Sequence, residues 1–476
     1  MTSEPQPPYS PQPVRHRFRP TAEDTRLLRL AVPALGNLVA EPLFLLADSA
    51  IVGHLGTPQL AGLAAASALL ATLTYLCVFL AYGTTAAVGR RIGAGDLPGA
   101  VRQGVDGMWL GVLLGVVLGI AGVVLAEPLV RLFGASHEAV PYGVTYLRVA
   151  SLGQPAMLLV LASTGVLRGL QDIRTTLVVA ASGAGANVVL NLVLVYPAGM
   201  GIAGSATGTV LTQYGMASAY TWVVYKAARK YNAPLRPDRE GIKQAAAASV
   251  PLLIRTIMLR IALLAGTILA AKYGTEALAA QQVAWSLWGF LALVLDALAI
   301  AGQAWISQAL GAADVAGARR ATRRTMQWGV VVGVLLGLAV LATRQLFIPL
   351  FTDDQTVRDL LGQVLLLEVL FLPVAAPVFV LDGILIGAGD GRYLAWAGVA
   401  TTAAYLAAAL ASYGLDGGLT GLWWALGGFM LARLVALGVR IRTDRWIVTG
   451  AGPGGGSQGT DAVVATGEVA SVTQTP

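Results

Sequence analysis

The chain has one cysteine, three histidines and charge on only 12% of its 476 residues. One cysteine excludes an intramolecular disulfide, and the apolar run around Cys77 makes core packing its expected role. His16, His54 and His137 are scattered without ligand spacing, so no metal site and no cofactor are expected. The phosphate loop G-x-x-x-x-G-K-S/T is missing. Without it the chain cannot couple to ATP hydrolysis, and the energy for any transport must come from an ion gradient or from the substrate's own. No enzymatic activity is expected. Long alternating polar and apolar strands are missing too, which argues against an outer-membrane barrel, whose lumen-facing positions must be polar.

What the sequence does have is apolar: 56% of residues are hydrophobic and the mean hydropathy is +0.69. About 20 apolar residues cross the hydrocarbon core, and the chain offers such runs repeatedly, separated by short polar breaks. They predict an all-α integral membrane protein of twelve transmembrane helices, at 27–54, 57–88, 103–126, 141–166, 175–196, 202–225, 246–272, 276–308, 325–345, 360–386, 393–413 and 418–441. The first apolar segment is too long for a signal peptide and should remain as a membrane helix. Two segments, 57–88 and 276–308, are longer than one crossing needs.

The net charge of +7 raises the question of nucleic acid, but no basic stripe interleaved with aromatics and no binding motif supports that partner. Membrane topology accounts for the positives instead. Twenty-five of the 32 Lys and Arg residues fall on one side of the twelve-helix path, in the N-terminal arm, alternate loops and the C-terminal end, and five on the other. The positive-inside rule then puts both termini in the cytoplasm of a multi-pass plasma-membrane protein. The remaining two, Arg255 and Arg260, fall inside a predicted helix. Residues 1–25, which are Pro-rich, and 446–476, rich in Gly, Ser and Thr, read as disordered cytoplasmic tails.

Self-comparison decides the architecture. At an offset of 218, Pro33 falls on Pro251, Gly56-Thr57 on Gly274-Thr275, Gly93-Ala94 on Gly311-Ala312 and Asp96 on Asp314. The same register pairs Gly111, Gly115 and Gly119 with Gly329, Gly333 and Gly337, then Pro155, Gly165, Gly169, Asp172 and Arg174 with Pro373, Gly383, Gly387, Asp390 and Arg392. The chain is therefore read as two homologous six-helix lobes, 26–225 and 246–445, joined by a basic linker at 226–245. Six is even, so both lobes enter the membrane in the same direction. This is the parallel repeat of some secondary transporters, with a central cavity that rocking opens to each face in turn. The glycines spaced by four are read as close-packing positions.

Ionisable residues inside the membrane are functional candidates by default. Glu41 and Asp48 lie seven apart in the first helix, on one face within about 20°. Two carboxylates on one wall repel when both are ionised, so one of them is expected to carry and exchange a proton. Pro33 and Pro42 make that helix bendable. Asn187, Asn191 and Thr209 line the same lobe, as cavity groups or as interhelix hydrogen bonds. In the second lobe, Arg255 and Arg260 need carboxylates. Asp296 on the adjacent helix is the expected partner, with Glu368 or Asp382 available, in a network that either stabilises or couples.

Four stretches, LAVP (30–33), LADSAIVGHLG (46–56), LRGLQD (167–172) and DGILIGAGD (382–390), resemble the multidrug and toxic compound extrusion (MATE) transporters, specifically their DinF branch. The resemblance covers roughly residues 27–445. It implies two six-helix lobes arranged as a V, working as a monomer, that export small organic, often cationic amphipathic compounds in exchange for protons or sodium. Asp48 then matches the first-helix acid used for protonation or substrate binding, Pro33 the bending proline, and Asn187 and Thr209 its polar neighbours. The chain departs from archaeal relatives in having Asn191 in place of an acid and Glu41 in place of an amide. The seventh-helix acid of some sodium-coupled members is absent, with Arg255 and Arg260 nearby, which favours protons. The alternative, a lipid-linked oligosaccharide flippase of the same superfamily, would line its cavity with many cations.

Overall fold

The computed structural model describes residues 21–134 and 136–451. Its helices are α1 (Ala22–Gly53), α2 (Thr57–Leu76), α3 (Phe79–Gly93), α4 (Leu97–Val124), α5 (Ala126–Leu132), α6 (Val140–Ser151), α7 (Gln154–Gly169), α8 (Ile173–Val195) and α9 (Gly201–Lys230) in the first lobe. The second lobe holds α10 (Arg239–Lys272), α11 (Thr275–Gly311), α12 (Val315–Phe347), α13 (Gln355–Gly387), α14 (Gly391–Gly414) and α15 (Gly418–Arg442). Ten spans are long and apolar enough to cross a membrane, with α2 and α3 counted together, and an eleventh is the pair α6–α7, bent by 53°. The twelfth member of the two-fold pattern is α9, whose first turns carry Ser205, Thr207, Thr209 and Thr212. Those hydroxyls lower its hydropathy because part of its face serves a polar interior.

The repeat is visible in how the helices begin and pack. Asp96 and Asp314, 218 residues apart, cap α4 and α12 by accepting from the amides of Gly99 and Gly317 at 2.8 and 2.7 Å. Gly111, Gly115 and Gly119 bring α4 onto the backbone of α7 and the end of α6, and Gly333 and Gly337 bring α12 onto α13. These glycines pack helices, as their spacing indicated. The lobes differ in continuity: α11 and α13 are unbroken, whereas their first-lobe counterparts are interrupted, at Cys77-Val78 and at Leu152-Gly153.

Order reaches further toward both ends of the chain than composition indicated. Thr21 and Asp24 form a reciprocal capping box on α1, and Asp24, 1% exposed, holds Arg324 at 2.5 Å and the Trp328 indole at 2.7 Å. Trp446 is buried, and the Gly450 amide donates to the Leu310 carbonyl at 3.0 Å. The rest of the two expected tails, 1–20 and 452–476, lies outside the described residues. Between α9 and α10 only 231–238 is non-helical, so both helices extend into the expected linker.

The lobes meet in the half of the bundle that holds the start of α1. Their contact keeps the two-fold relation: a Cβ on Gly93 would stand 2.0 Å from the Gln308 carbonyl oxygen, and one on Gly311 2.0 Å from that of Arg90. Positions 90 and 308 are themselves repeat partners. The Arg90 guanidinium donates to the Ala388 carbonyl at 2.5 Å, and the Gln308 amide to that of Gly169 at 2.9 Å. Gln303 donates to the Tyr82 carbonyl, and Asp24 pairs across to Arg324, in the same half. The lobe-to-lobe hydrogen bonds and ion pairs among the described residues thus gather in this half of the bundle.

Only hydrogen fits at position 311, so Gly311→Val should cost this closed contact about 1–3 kcal/mol. In a Cys77→Ala background, bismaleimide cross-linking of cysteines placed at Ala94 and Ala312 should fall by half or more. Unchanged cross-linking would show that this contact does not hold the lobes together.

Candidate functional site

Four helices of the first lobe converge on Asp48, which is 1% exposed. From α8, Asn191 Nδ2 donates to its Oδ1 at 2.9 Å, and from α9 the Ser205 hydroxyl donates to the same oxygen. From α6, the Tyr146 hydroxyl donates to Oδ2 at 3.1 Å. The bonds continue outward, Asn191 Nδ2 to Asn187 Oδ1 at 3.1 Å and Asn187 Nδ2 to Thr209 Oγ1 at 3.2 Å. Helical spacing accounts for the alignment, because 187 and 191, like 205 and 209, are four apart and share a face. Gly208 completes it: a Cβ there would lie 2.0 Å from Asn191 Oδ1, so α9 must carry glycine for α8 to come this close. Asn191 Oδ1 is buried with no partner among the described residues.

An ionised carboxylate accepts and cannot donate, so three donors around Asp48 match its charged form. Protonation would replace one of about four acceptor sites by an O–H donor, and a hydroxyl facing that O–H would have to turn to accept. The hydrogen-bond pattern around Asp48, contributed by α6, α8 and α9, thus differs between its two protonation states.

Tyr146 and Ser205 are additions to the residues singled out from sequence. Ser205 was within reach, since it lies one turn before Thr209. Tyr146 carries no local signal, because α6 meets α1 only through the tertiary fold. Glu41 is placed apart from the cluster: it is exposed and has no hydrogen bond or ion pair among the described residues. Helix α1 runs unbroken through Pro33 and Pro42.

The second lobe corrects the expected pairing. Arg255 pairs with Asp382 at 2.6 Å, not with Asp296, and Arg433 of α15 pairs with the same carboxylate. Helix α10 packs chiefly on α14, and α11 chiefly on α13, so the pair is made by the reach of the Arg255 side chain and not by backbone contact of α10 with α13. Arg260 reaches no carboxylate and lies over the Tyr75 ring, 4.1 Å from its centroid, across the lobe boundary. Arg433, Arg168 and Arg90, counted above among loop positives, are buried. Glu368 is fully buried, and neither of its oxygens has a partner among the described residues.

Removing the shared carboxylate should leave two buried guanidiniums uncompensated. Asp382→Asn is expected to lose about 3–5 kcal/mol, seen as a lowered melting temperature in detergent. Arg131→Ala, which removes an exposed i,i+4 pair with Glu127, should stay within about 0.5 kcal/mol. Equal effects of the two would contradict a stabilising role for the cluster.

A helical membrane protein of two repeated lobes with buried acids in both has the architecture of a secondary transporter. The MatE family model matches residues 33–193 and again 251–411, so the two matches start and end 218 residues apart. The chain belongs to the MatE family of multidrug and toxin efflux transporters. It is 29% identical to protein DETOXIFICATION 44, chloroplastic, of Arabidopsis thaliana, over 88% of this chain and 83% of that protein. Identity is 26% to the DNA damage-inducible protein F of Escherichia coli (strain K12), over 77% and 81%. It is 28% to a probable multidrug resistance protein NorM of Pseudomonas putida, over 88% and 94%. In fold it resembles the outward-facing conformation of a multidrug resistance MATE family transporter, with a TM-score of 0.80, 23% identity and coverage of 90% and 97%.

Proposed function

We propose that the chain exports small organic amphipathic compounds bearing a cationic group, as a monomer, in exchange for protons, and that Asp48 carries the exchanged proton. The observation that supports this is the Asp48 cluster: a buried carboxylate with donors from three other helices. When Asp48 is ionised the donors hold the helices together. When it is protonated one acceptor site becomes a donor, the charge-assisted bonds weaken and the lobe can repack. That link gives a proton gradient a mechanical effect, which is what antiport by alternating access requires.

Protons are favoured over sodium by the second lobe, where Arg255 and Arg433 already occupy the Asp382 carboxylate as tethered cations. The closed half of the bundle is the half rich in Lys and Arg. Under the positive-inside rule it faces the cytoplasm of the plasma membrane with both termini, which leaves the opposite ends of the lobes to part on the outer side. Residues 26–225 and 246–445 act as the two rocking lobes. A flippase for lipid-linked oligosaccharides is less well supported, because the first-lobe site is an acid ringed by neutral groups.

The test is transport in proteoliposomes under pH and sodium gradients imposed separately. Asp48→Asn keeps the shape and removes the titrating group, so it should abolish pH-driven export of a fluorescent organic cation while expression and melting temperature stay near wild type. Wild-type export by the variant, or export driven by sodium alone, would overturn the reading.

A further inference from the structure

On α9, Tyr214, Ser218, Thr221, Trp222 and Tyr225 recur at helical spacing and so share one face. With Leu159 of α7 they line a mostly apolar groove of about 470 Å³. It lies on the outside of the first lobe, where Tyr214 is 46% and Trp222 56% exposed. At one end the Tyr214 hydroxyl donates to the Leu152 carbonyl at 3.1 Å, at the break between α6 and α7. At the other the Trp222 and Tyr225 rings stack, their centroids 5.7 Å apart. The Ser218 hydroxyl donates to the Tyr214 carbonyl at 2.8 Å and so is already satisfied within the helix.

Cations stand at the stacked end. Lys226 Nζ lies 5.0 Å from the centroid of the Trp222 ring, and the Arg229 guanidinium lies over Tyr225, whose hydroxyl accepts from Arg229 Nη1 at 3.1 Å. Lys230 follows in the same last turn, and α9 contains no acid. Elsewhere in this charge-rich half Arg102, Arg319 and Arg440 each hold a carboxylate. Lys226, Arg229 and Lys230 have no ion pair among the described residues. Helix-end carbonyls favour cations at such positions, but they do not account for a groove that begins beneath them. Its length is informative. Tyr214 and Tyr225 are eleven residues apart, about 16 Å of helix, and half the hydrocarbon core is about 15 Å thick. The groove therefore has the span of an acyl chain, with the cations at headgroup level.

We infer that this groove binds one anionic phospholipid of the cytoplasmic leaflet, with an acyl chain along Leu159, Tyr214 and Trp222 and its phosphate on Lys226 and Arg229. The choice of leaflet rests on the orientation proposed above. The site itself needs neither substrate nor gradient, so it stands or falls apart from the proton reading.

The test uses Trp222 as the reporter, in the full chain reconstituted into phosphatidylcholine vesicles. Lipids with dibrominated acyl chains quench the tryptophans they touch, and the Trp222 signal is the difference between wild type and Trp222→Phe. Brominated phosphatidylglycerol should occupy the site about tenfold more tightly than brominated phosphatidylcholine, the order expected of two cations at a membrane surface. Lys226→Gln combined with Arg229→Gln, both at exposed positions, should remove that preference and leave quenching by phosphatidylcholine unchanged. Arg236→Gln combined with Lys243→Gln removes two cations outside the groove and should leave the preference intact. Equal quenching by the two lipids in wild type would overturn the inference, since the groove would then hold only ordinary boundary lipid. So would a preference that survives in the groove variant, or one lost equally in the control, which would mean attraction to net charge alone.

Discussion

Everything in this molecule depends on the cost of a polar group in hydrocarbon. Water cannot satisfy a carboxylate there, so each must find donors or a cation inside the protein or carry a proton. Asp48 meets this requirement with neutral donors from three helices, and Asp382 meets it with two guanidiniums. The difference separates their roles. Neutral donors can reorient when a proton comes and goes, which is the property the proposed coupling role of Asp48 needs. A carboxylate fixed by two permanent cations lacks that freedom, and it holds α10, α13 and α15 together.

The two-fold repeat adds a frame for motion. Repeat-related residues meet across the lobe boundary at Gly93 and Gly311, close enough that only glycine fits, and Arg90 and Gln308 reach across in matching directions. A contact of this kind is all-or-none: the backbones are either seated or apart. The breaks in α2–α3 and α6–α7, where the second lobe has continuous helices, fall in the lobe that holds the Asp48 cluster. The Arg255–Asp382–Arg433 network lies in the lobe of continuous helices.

Much of this was legible in the sequence. Apolar runs and the 218-residue register gave the spans and the two lobes, because membrane thickness and duplication both leave a period. Asp48, Asn187, Asn191 and Thr209 were legible as intramembrane polar groups that share a lobe and, in α8, a helical face. The partner of Arg255 was not. Sequence neighbours suggested Asp296, whereas the long Arg255 side chain reaches Asp382 on α13, a helix on which α10 does not chiefly pack. Tyr146 was hidden for the same reason, since nothing local indicates that α6 lies against α1. Arg168 and Arg433 read as loop charges because they stand near helix ends, and only tertiary burial distinguishes them from solvated arginines. The capping box at Thr21 and Asp24 lay in a stretch dismissed on composition, although its pattern is local.

The central claim is that substrate and proton exchange through the acid held by Tyr146, Asn191 and Ser205. The most direct measurement is proton release on substrate binding, in lightly buffered detergent solution with a pH indicator. Wild-type protein should release a proton as an organic cation binds, and Asp48→Asn should bind it without release. Equal release by both proteins would place the exchanged proton elsewhere and contradict the account.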